Sequence, residues 1–148
     1  MKRIAALFGL LSLATPAFAD DPWLGTWVQR SKTPMTMTIE KVGASGAKFT
    51  YQMPPAIKPN VVMTFETQFD GKEVQVFVDA KPIDETMVIN RIDDRHTTAS
   101  WKINGEPAGS STSELSADGK VIKAVSDNEM PGPDGKIGKV TLYWDKRS

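Results

Sequence analysis

Short segments that alternate apolar and polar residues, separated by turns rich in glycine, run through almost the whole chain after residue 19. Residues 61–69 are the clearest case, because Met63, Phe65 and Phe69 would share one face of an extended strand. A period of two is typical of a half-buried β-strand, and helical periodicity is almost absent. The pattern predicts ten strands, at residues 25–30, 35–42, 48–53, 61–69, 73–78, 86–92, 97–103, 108–115, 121–125 and 138–143.

The connections between these segments indicate how the strands pair. Asp70-Gly71 and Asn104-Gly105 predict tight hairpin turns, because such turns need the positive φ that glycine and asparagine accept. Consecutive strands joined in this way form an antiparallel meander, and closure of the meander removes exposed strand edges. We therefore expect an all-β fold, a single antiparallel up-and-down β-barrel of about eight to ten strands.

The first nineteen residues have the features of a secretory signal peptide. Lys2 and Arg3 precede an apolar run at residues 4–13, and Ala17-Phe18-Ala19 forms a small-residue cleavage site. We expect cleavage after Ala19, a single domain at residues 20–148, and a periplasmic or secreted protein. No membrane anchor is expected, because no later apolar run is long enough to span a bilayer and no cysteine follows the leader.

Composition excludes several classes of function. The chain has 18 basic and 18 acidic residues, without a basic run that would indicate a nucleic-acid partner. It has no cysteine and one histidine, His96, beside Asp93 and Asp94. A zinc site needs more ligands of this kind, and a serine–histidine–aspartate unit needs a nucleophile that no local pattern frames. We expect no enzyme activity, no metal site and no cofactor.

The triplet Gly25-Thr26-Trp27, followed by an antiparallel meander, resembles the calycin group of lipocalins and fatty-acid-binding proteins. In that group the tryptophan plugs the closed end of the barrel and a basic residue of the last strand covers its ring. The resemblance implies that Trp27 is the plug, that Gly25 makes room for it, and that Arg147 or its neighbour Lys146 covers the indole.

Further segments are similar to small bacterial lipocalin-like proteins, namely residues 23–27, 69–72, 92–95, 115–120 and Tyr143. The resemblance implies a binding protein for a small hydrophobic molecule. The chain departs from fatty-acid-binding proteins because residues 31–34 are too few for their helix pair, and because Thr141-Leu142-Tyr143 stands where they carry an Arg-x-Tyr pair. A neutral or differently charged apolar ligand is therefore an alternative to a fatty acid.

The apolar faces of the predicted strands supply candidate lining residues for an interior cavity. Methionine is favoured where ligands vary, because its side chain is flexible and polarizable. Tyr51, Lys139 and Tyr143 would orient the ligand through polar groups. The complete set of candidates is Met37, Ile39, Phe49, Tyr51, Met63, Phe65, Val76, Met87, Ile89, Trp101, Lys139 and Tyr143.

Two other functions remain open at the level of sequence. Exported barrels of this size also act as inhibitors or interaction proteins, and the proline-containing loops at residues 54–60 and 128–135 would then contact a protein partner. Met35 and Met37 resemble the Met-x-Met segment of small periplasmic copper carriers, because thioethers prefer Cu(I), with His96 as a further ligand.

Overall fold

The computed structural model describes residues 21–56, 60–132 and 135–148, and ten β-strands follow one another along this part of the chain. The predicted signal peptide and its cleavage site lie outside the described residues. The strands are β1 (Gly25–Gln29), β2 (Thr36–Val42), β3 (Gly46–Gln52), β4 (Val62–Thr67), β5 (Val74–Val78), β6 (Lys81–Asp93), β7 (His96–Ile103), β8 (Glu106–Leu115), β9 (Val121–Asn128) and β10 (Gly138–Lys146).

The ten strands form a closed antiparallel barrel in which each strand pairs with its neighbours in sequence and β10 returns to β1. The closing pair joins Trp27 to Lys146 and Gln29 to Trp144 in register. The predicted all-β up-and-down barrel is therefore confirmed, because the alternating segments do pair as one meander. Within the described residues there is no helix of the length and apolarity needed to cross a bilayer.

The sixth strand is longer than the sequence predicted, because the chain turns back sooner. Residues 79–85 were expected to form a loop, yet β6 begins at Lys81. Asp79 and Ala80 form the turn with φ of 48° and 64°, left-handed values that glycine usually supplies. Asp79 also accepts a hydrogen bond from the amide of Val62 at 3.0 Å, which helps to hold this turn. As a result, Glu85 belongs to a strand and not to a loop.

The connection after β4 is wider than the predicted two-residue hairpin at Asp70-Gly71. It spans residues 68–73, and β4 and β5 share two paired positions, Met63 with Val78 and Thr64 with Phe77. Asp70 instead bridges to Asn90 of β6. Gly71 has a φ of 75°, and a side chain there would press against the Asn90 amide at 2.7 Å. Glycine is needed at this turn, as the sequence indicated, but for a different geometry.

Trp27 closes one end of the barrel. Its side chain is fully buried, and its Nε1 donates a hydrogen bond to the carbonyl oxygen of Trp23 at 3.0 Å. Trp23 is also buried, and its Nε1 donates to the carbonyl oxygen of Asp94 at 2.8 Å. Gly25 has a φ of 133° and no room for a side chain, because a methyl group would collide with the carbonyl oxygen of Ser148. Trp27 and Gly25 therefore have the positions that the resemblance implied.

Of the two cations that the resemblance offered, Lys146 covers Trp27 and Arg147 does not. Lys146 Nζ lies 5.2 Å from the centroid of the Trp27 ring and donates to the carbonyl oxygen of Pro22 at 2.9 Å. Alternation explains this choice, since Lys146 shares the inner face of β10 with buried Trp144. Arg147 is exposed and contributes its backbone amide, which donates to the carbonyl oxygen of Thr26 at 2.8 Å.

We expect Lys146→Met to lower the free energy of unfolding by about 0.5–1 kcal/mol, because it removes a half-buried cation–π contact. The matched change Arg147→Met should stay within about 0.5 kcal/mol of the wild type. Urea unfolding followed by tryptophan fluorescence measures both. A larger loss for Arg147→Met than for Lys146→Met would contradict the assignment of Lys146 to this contact.

Candidate functional site: the barrel cavity

A cavity of about 520 Å³ occupies the barrel interior above the buried tryptophans. Trp23 lines it from the closed end. At the other end the lining includes Met35, Met53 and Met130, which come from the β1–β2, β3–β4 and β9–β10 connections. The volume falls within the range of about 300–1,000 Å³ that is typical of small-molecule sites. The interior is thus hollow enough for one small molecule.

The wall formed by β2, β3 and β4 is apolar and aromatic. Phe49 and Phe65 stack with ring centroids 5.0 Å apart, and the ring of Tyr51 meets Trp144 edge to face at 6.1 Å. Every methionine after Met1 lines the cavity, namely Met35, Met37, Met53, Met63, Met87 and Met130. Met37 and Met63 belong to this wall, and the other four lie on β6 or at the open end. Thioether side chains adapt to the outline of a ligand, so the lining as a whole suits an apolar molecule of variable shape.

The opposite wall carries a hydroxyl stripe, which consists of Thr97, Ser111, Ser113 and Ser126. The register places Thr97 opposite Ser113 and Ser111 opposite Ser126, so the four hydroxyls form a continuous patch across β7, β8 and β9. Their side chains make no hydrogen bond to any described residue. They are not fully buried either, because Nε of Arg91 is the one fully buried side-chain nitrogen or oxygen without a partner among the described residues. The hydroxyls are therefore accessible from the cavity and available to a ligand.

Trp101 lies flat against the wall because Gly109 stands opposite it on β8. A methyl group at position 109 would collide with the six-membered ring of this indole and would approach the carbonyl oxygen of Asp127 to 3.0 Å. With glycine there, the ring packs directly against the β8 backbone and lines the cavity. This glycine is required by close packing and not by its backbone conformation.

Two ionisable side chains, Tyr51 and Glu85, stand among the described residues that line the cavity. Burial raises the pKa of the Tyr51 phenol well above its ordinary value, so this group stays protonated and can donate a hydrogen bond. Burial also raises the pKa of the Glu85 carboxyl. Neither side chain forms a hydrogen bond or an ion pair with a described residue. No Lys, Arg or His lines this part of the cavity.

Nine of the twelve residues predicted for the cavity do line it: Met37, Ile39, Phe49, Tyr51, Met63, Phe65, Met87, Ile89 and Trp101. Val76 is fully buried but packs in the core outside the cavity lining. The structure thus brings together the apolar candidates from five strands, β2, β3, β4, β6 and β7.

Lys139 and Tyr143 are the two corrections on β10, because both lie on the outer face of this strand. Tyr143 is 38% exposed, and the guanidinium of Arg30 lies 5.3 Å from the centroid of its ring. Arg30 is fixed there by two hydrogen bonds of 2.7 Å to the carboxylate of Asp145. The inner face of β10 carries Val140, Leu142 and Trp144 instead. Neither Lys139 nor Tyr143 can orient a ligand inside the barrel.

Half of the lining residues that the sequence did not predict are small or polar. Ala99 could have been found, because it shares a strand face with Trp101. The serines of β8 gave no signal, because residues 110–113 are polar on both faces of the strand. Glu85 was assigned to a loop and was therefore missed. The complete set of these residues is Trp23, Gln29, Met35, Met53, Phe69, Glu85, Thr97, Ala99, Ile103, Ala108, Ser111, Ser113, Ile122, Ala124, Ser126, Asn128, Met130, Pro131, Gly132, Val140, Leu142 and Trp144.

The structure does not bring together the residues considered for copper. Met35 and Met37 line the cavity, whereas His96 lies at the closed end and is not part of the lining. Its Nδ1 contacts the Asp93 carboxylate at 2.8 Å. The hydrogen bond from the Arg95 amide, and then this contact, hold the pKa of Asp93 below its ordinary value. Within the described residues no three His, Cys, Asp or Glu side chains cluster as metal ligands do. The predicted histidine–methionine set is not assembled.

Comparison with known proteins supports the fold. No protein-family model and no curated protein sequence matches the chain. A solved structure of a point mutant of the fluorescent protein UnaG is similar, with a TM-score of 0.61 and 11% sequence identity over 86% of this chain and 98% of that one. The similarity extends over the closed ten-stranded antiparallel barrel. At this identity the likeness concerns the fold alone.

We expect Gly109→Ala to destabilise the protein by about 1–3 kcal/mol, because the added methyl group displaces Trp101 from the wall. Ser110→Thr adds a methyl group to the outward-facing neighbour and should cost much less. The cost of Gly109→Ala should shrink when it is combined with Trp101→Ala, as urea unfolding of all four variants would measure. An equal cost in both backgrounds would show that Trp101 is not the obstacle.

Proposed function

We propose that this protein is an exported binding protein that holds one small, mainly apolar molecule inside its barrel, to carry or sequester it. The observation that carries the proposal is the hollow interior of about 520 Å³ with all six methionines after Met1 on its lining. A barrel that served only as a scaffold would gain stability by filling this space, because side chains that face an empty cavity forgo favourable dispersion interactions.

The chemistry of the two walls defines the kind of ligand. Apolar burial against the methionine and aromatic wall supplies affinity, at roughly 25 cal/mol per Å² of apolar surface removed from water. The hydroxyl stripe and the Tyr51 phenol supply a few hydrogen bonds that orient the molecule. The proposal therefore excludes a pure hydrocarbon as the best ligand and favours a molecule with polar groups along one side.

We propose binding without catalysis, because the surroundings of the two ionisable side chains of the lining do not equip them as catalytic groups. Tyr51 and Glu85 have neither a partner that would activate them nor a nucleophile beside them among the described residues. Export rests on the signal-peptide pattern of residues 1–19.

The interaction-protein alternative places its partner at loops 54–60 and 128–135. The described parts of these loops adjoin the open end, where Met130, Pro131 and Gly132 line the cavity. This position favours a role for the loops as the rim of the binding site. Two measurements on the wild type and on loop variants separate the functions: a pull-down from host extract and a ligand-uptake assay. If the loops form the rim, their substitution changes ligand uptake and does not remove a protein partner.

Titration with the neutral fluorophore Nile red tests the central proposal, and we expect saturable uptake with one site per barrel. Ala99→Phe should weaken this uptake by about tenfold or more, because the ring fills part of the cavity. Ser100→Phe places the same ring on the outer face of β7 and should leave uptake unchanged. Circular dichroism confirms that both variants are folded.

Native mass spectrometry of the protein purified from its own host provides the second readout. A bound molecule of defined mass, absent from Ala99→Phe, is the expected result. Absence of any bound molecule, together with no Nile red uptake by the wild type, would overturn the proposed function.

A further inference from the structure

Glu85 is the one charged side chain among the described residues that line the cavity. It stands on the inner face of β6, in the alternating series that continues with Met87 and Ile89. It pairs in register with Ile103, directly before the Asn104-Gly105 turn of the open end. The carboxylate therefore belongs to the upper part of the cavity, above the methionine and aromatic wall.

The carboxylate of Glu85 has no partner among the described residues. On β5, the side-chain amide of Gln75 donates to the backbone carbonyl of Glu85 at 3.2 Å and not to its carboxylate. On β7, Ile103 is opposite, while Lys102 is bound to Glu73 at 3.2 Å. An unpaired, half-buried charge costs free energy that a glutamine of the same shape would not.

The other inward charge of β6 is neutralised elsewhere. Arg91 lies at the closed end, where its Nη2 binds the carboxylate of Asp21 at 2.7 Å and its guanidinium covers Phe69 at 4.5 Å. It is not part of the cavity lining. The described lining of the cavity thus presents an uncompensated negative charge and no positive one, which disfavours a carboxylate ligand and favours a cationic one.

We propose that the ligand carries a protonated amine, or another cationic nitrogen with N–H donors, and that Glu85 binds this group while the apolar body packs against the methionine and aromatic wall. This inference rests on the proposed function. A carboxylate accepts hydrogen bonds from an ammonium group, and such charge-assisted bonds are about twice as strong as neutral ones. The ligand would supply the partner that the chain itself does not.

Displacement of Nile red by three matched probes tests the proposal at pH 7.5, with decylamine, decanol and decanoate used below their micelle concentrations. These molecules share one apolar chain and differ in the charge of the head group. We expect decylamine to bind at least about tenfold more tightly than decanol, as a charge-assisted hydrogen bond allows, and decanoate to bind most weakly.

Glu85→Gln should abolish the preference for decylamine over decanol, with displacement measured against the affinity of that variant for Nile red. Glu106→Gln is the matched control, because Glu106 is an exposed glutamate at the same end of the barrel that does not line the cavity. It removes the same charge and should keep the preference. This comparison separates binding at Glu85 from a general attraction of cations to an acidic surface.

The pH dependence has a defined sign. Burial raises the pKa of Glu85, so the charged form that binds an amine is present above that pKa and is lost as the pH falls through it. The preference for decylamine should therefore decline on acidification at a pH above the ordinary pKa of glutamate. Glu85→Gln should show no such decline, since it has no group to titrate.

A raised pKa also means that Glu85 contributes stability at low pH that is lost as the pH rises through the pKa of the folded state. Glu85→Gln should accordingly leave the unliganded protein at least as stable as the wild type at pH 7.5, so misfolding does not obscure the result. Equal affinity for decylamine and decanol, or a preference that persists in Glu85→Gln, would overturn this inference. The proposed function would still stand if the wild type takes up Nile red. No uptake of Nile red by the wild type, together with no bound molecule in native mass spectrometry, would overturn both.

Discussion

The pairing of β1 with β10 is the interaction on which the rest of the structure depends. It turns an open ten-stranded meander, with two exposed edges, into a closed barrel with a defined interior. The same pair of strands brings Lys146 over Trp27 and the carbonyl oxygen of Ser148 against Gly25. The pairing that closes the barrel therefore also covers Trp27 and packs Ser148 against Gly25. The plug seals one end, so the space above it opens toward the other.

The interior stays hollow because its two walls are built differently. Met37, Met63 and the stacked rings of Phe49 and Phe65 form a thick apolar wall. Across the barrel, serines and alanines have short side chains, and Trp101 lies flat because Gly109 admits it. Small residues on one side cannot fill the space that large residues leave on the other. The cavity thus follows from residue size as much as from the number of strands.

Glu85 illustrates how stability and function diverge in such a site. A carboxylate without a partner inside a mostly apolar cavity weakens the folded state at neutral pH, and its raised pKa expresses that cost. Residues that reduce stability where chemistry or recognition occurs are a recurrent feature of functional sites. The Arg91–Asp21 pair at the closed end shows the opposite arrangement, a charge engaged by the fold itself.

Alternation in the sequence was sufficient to determine the ten-stranded barrel and the apolar wall, because Met37, Phe49 and Phe65 differ sharply in polarity from their neighbours. Period two sets which residues share a face, but it does not say which face points inward when both are polar. For this reason only the tertiary structure decided that Ser111 faces the cavity. It also decided that Lys146 covers Trp27, and, through a turn without glycine at Asp79-Ala80, that Glu85 lies inside. The contact of Lys146 with Trp27 depends on closure, which brings strands distant in sequence together and has no signature in local sequence. The position of Glu85 depends on a turn that lacks the usual glycine signal.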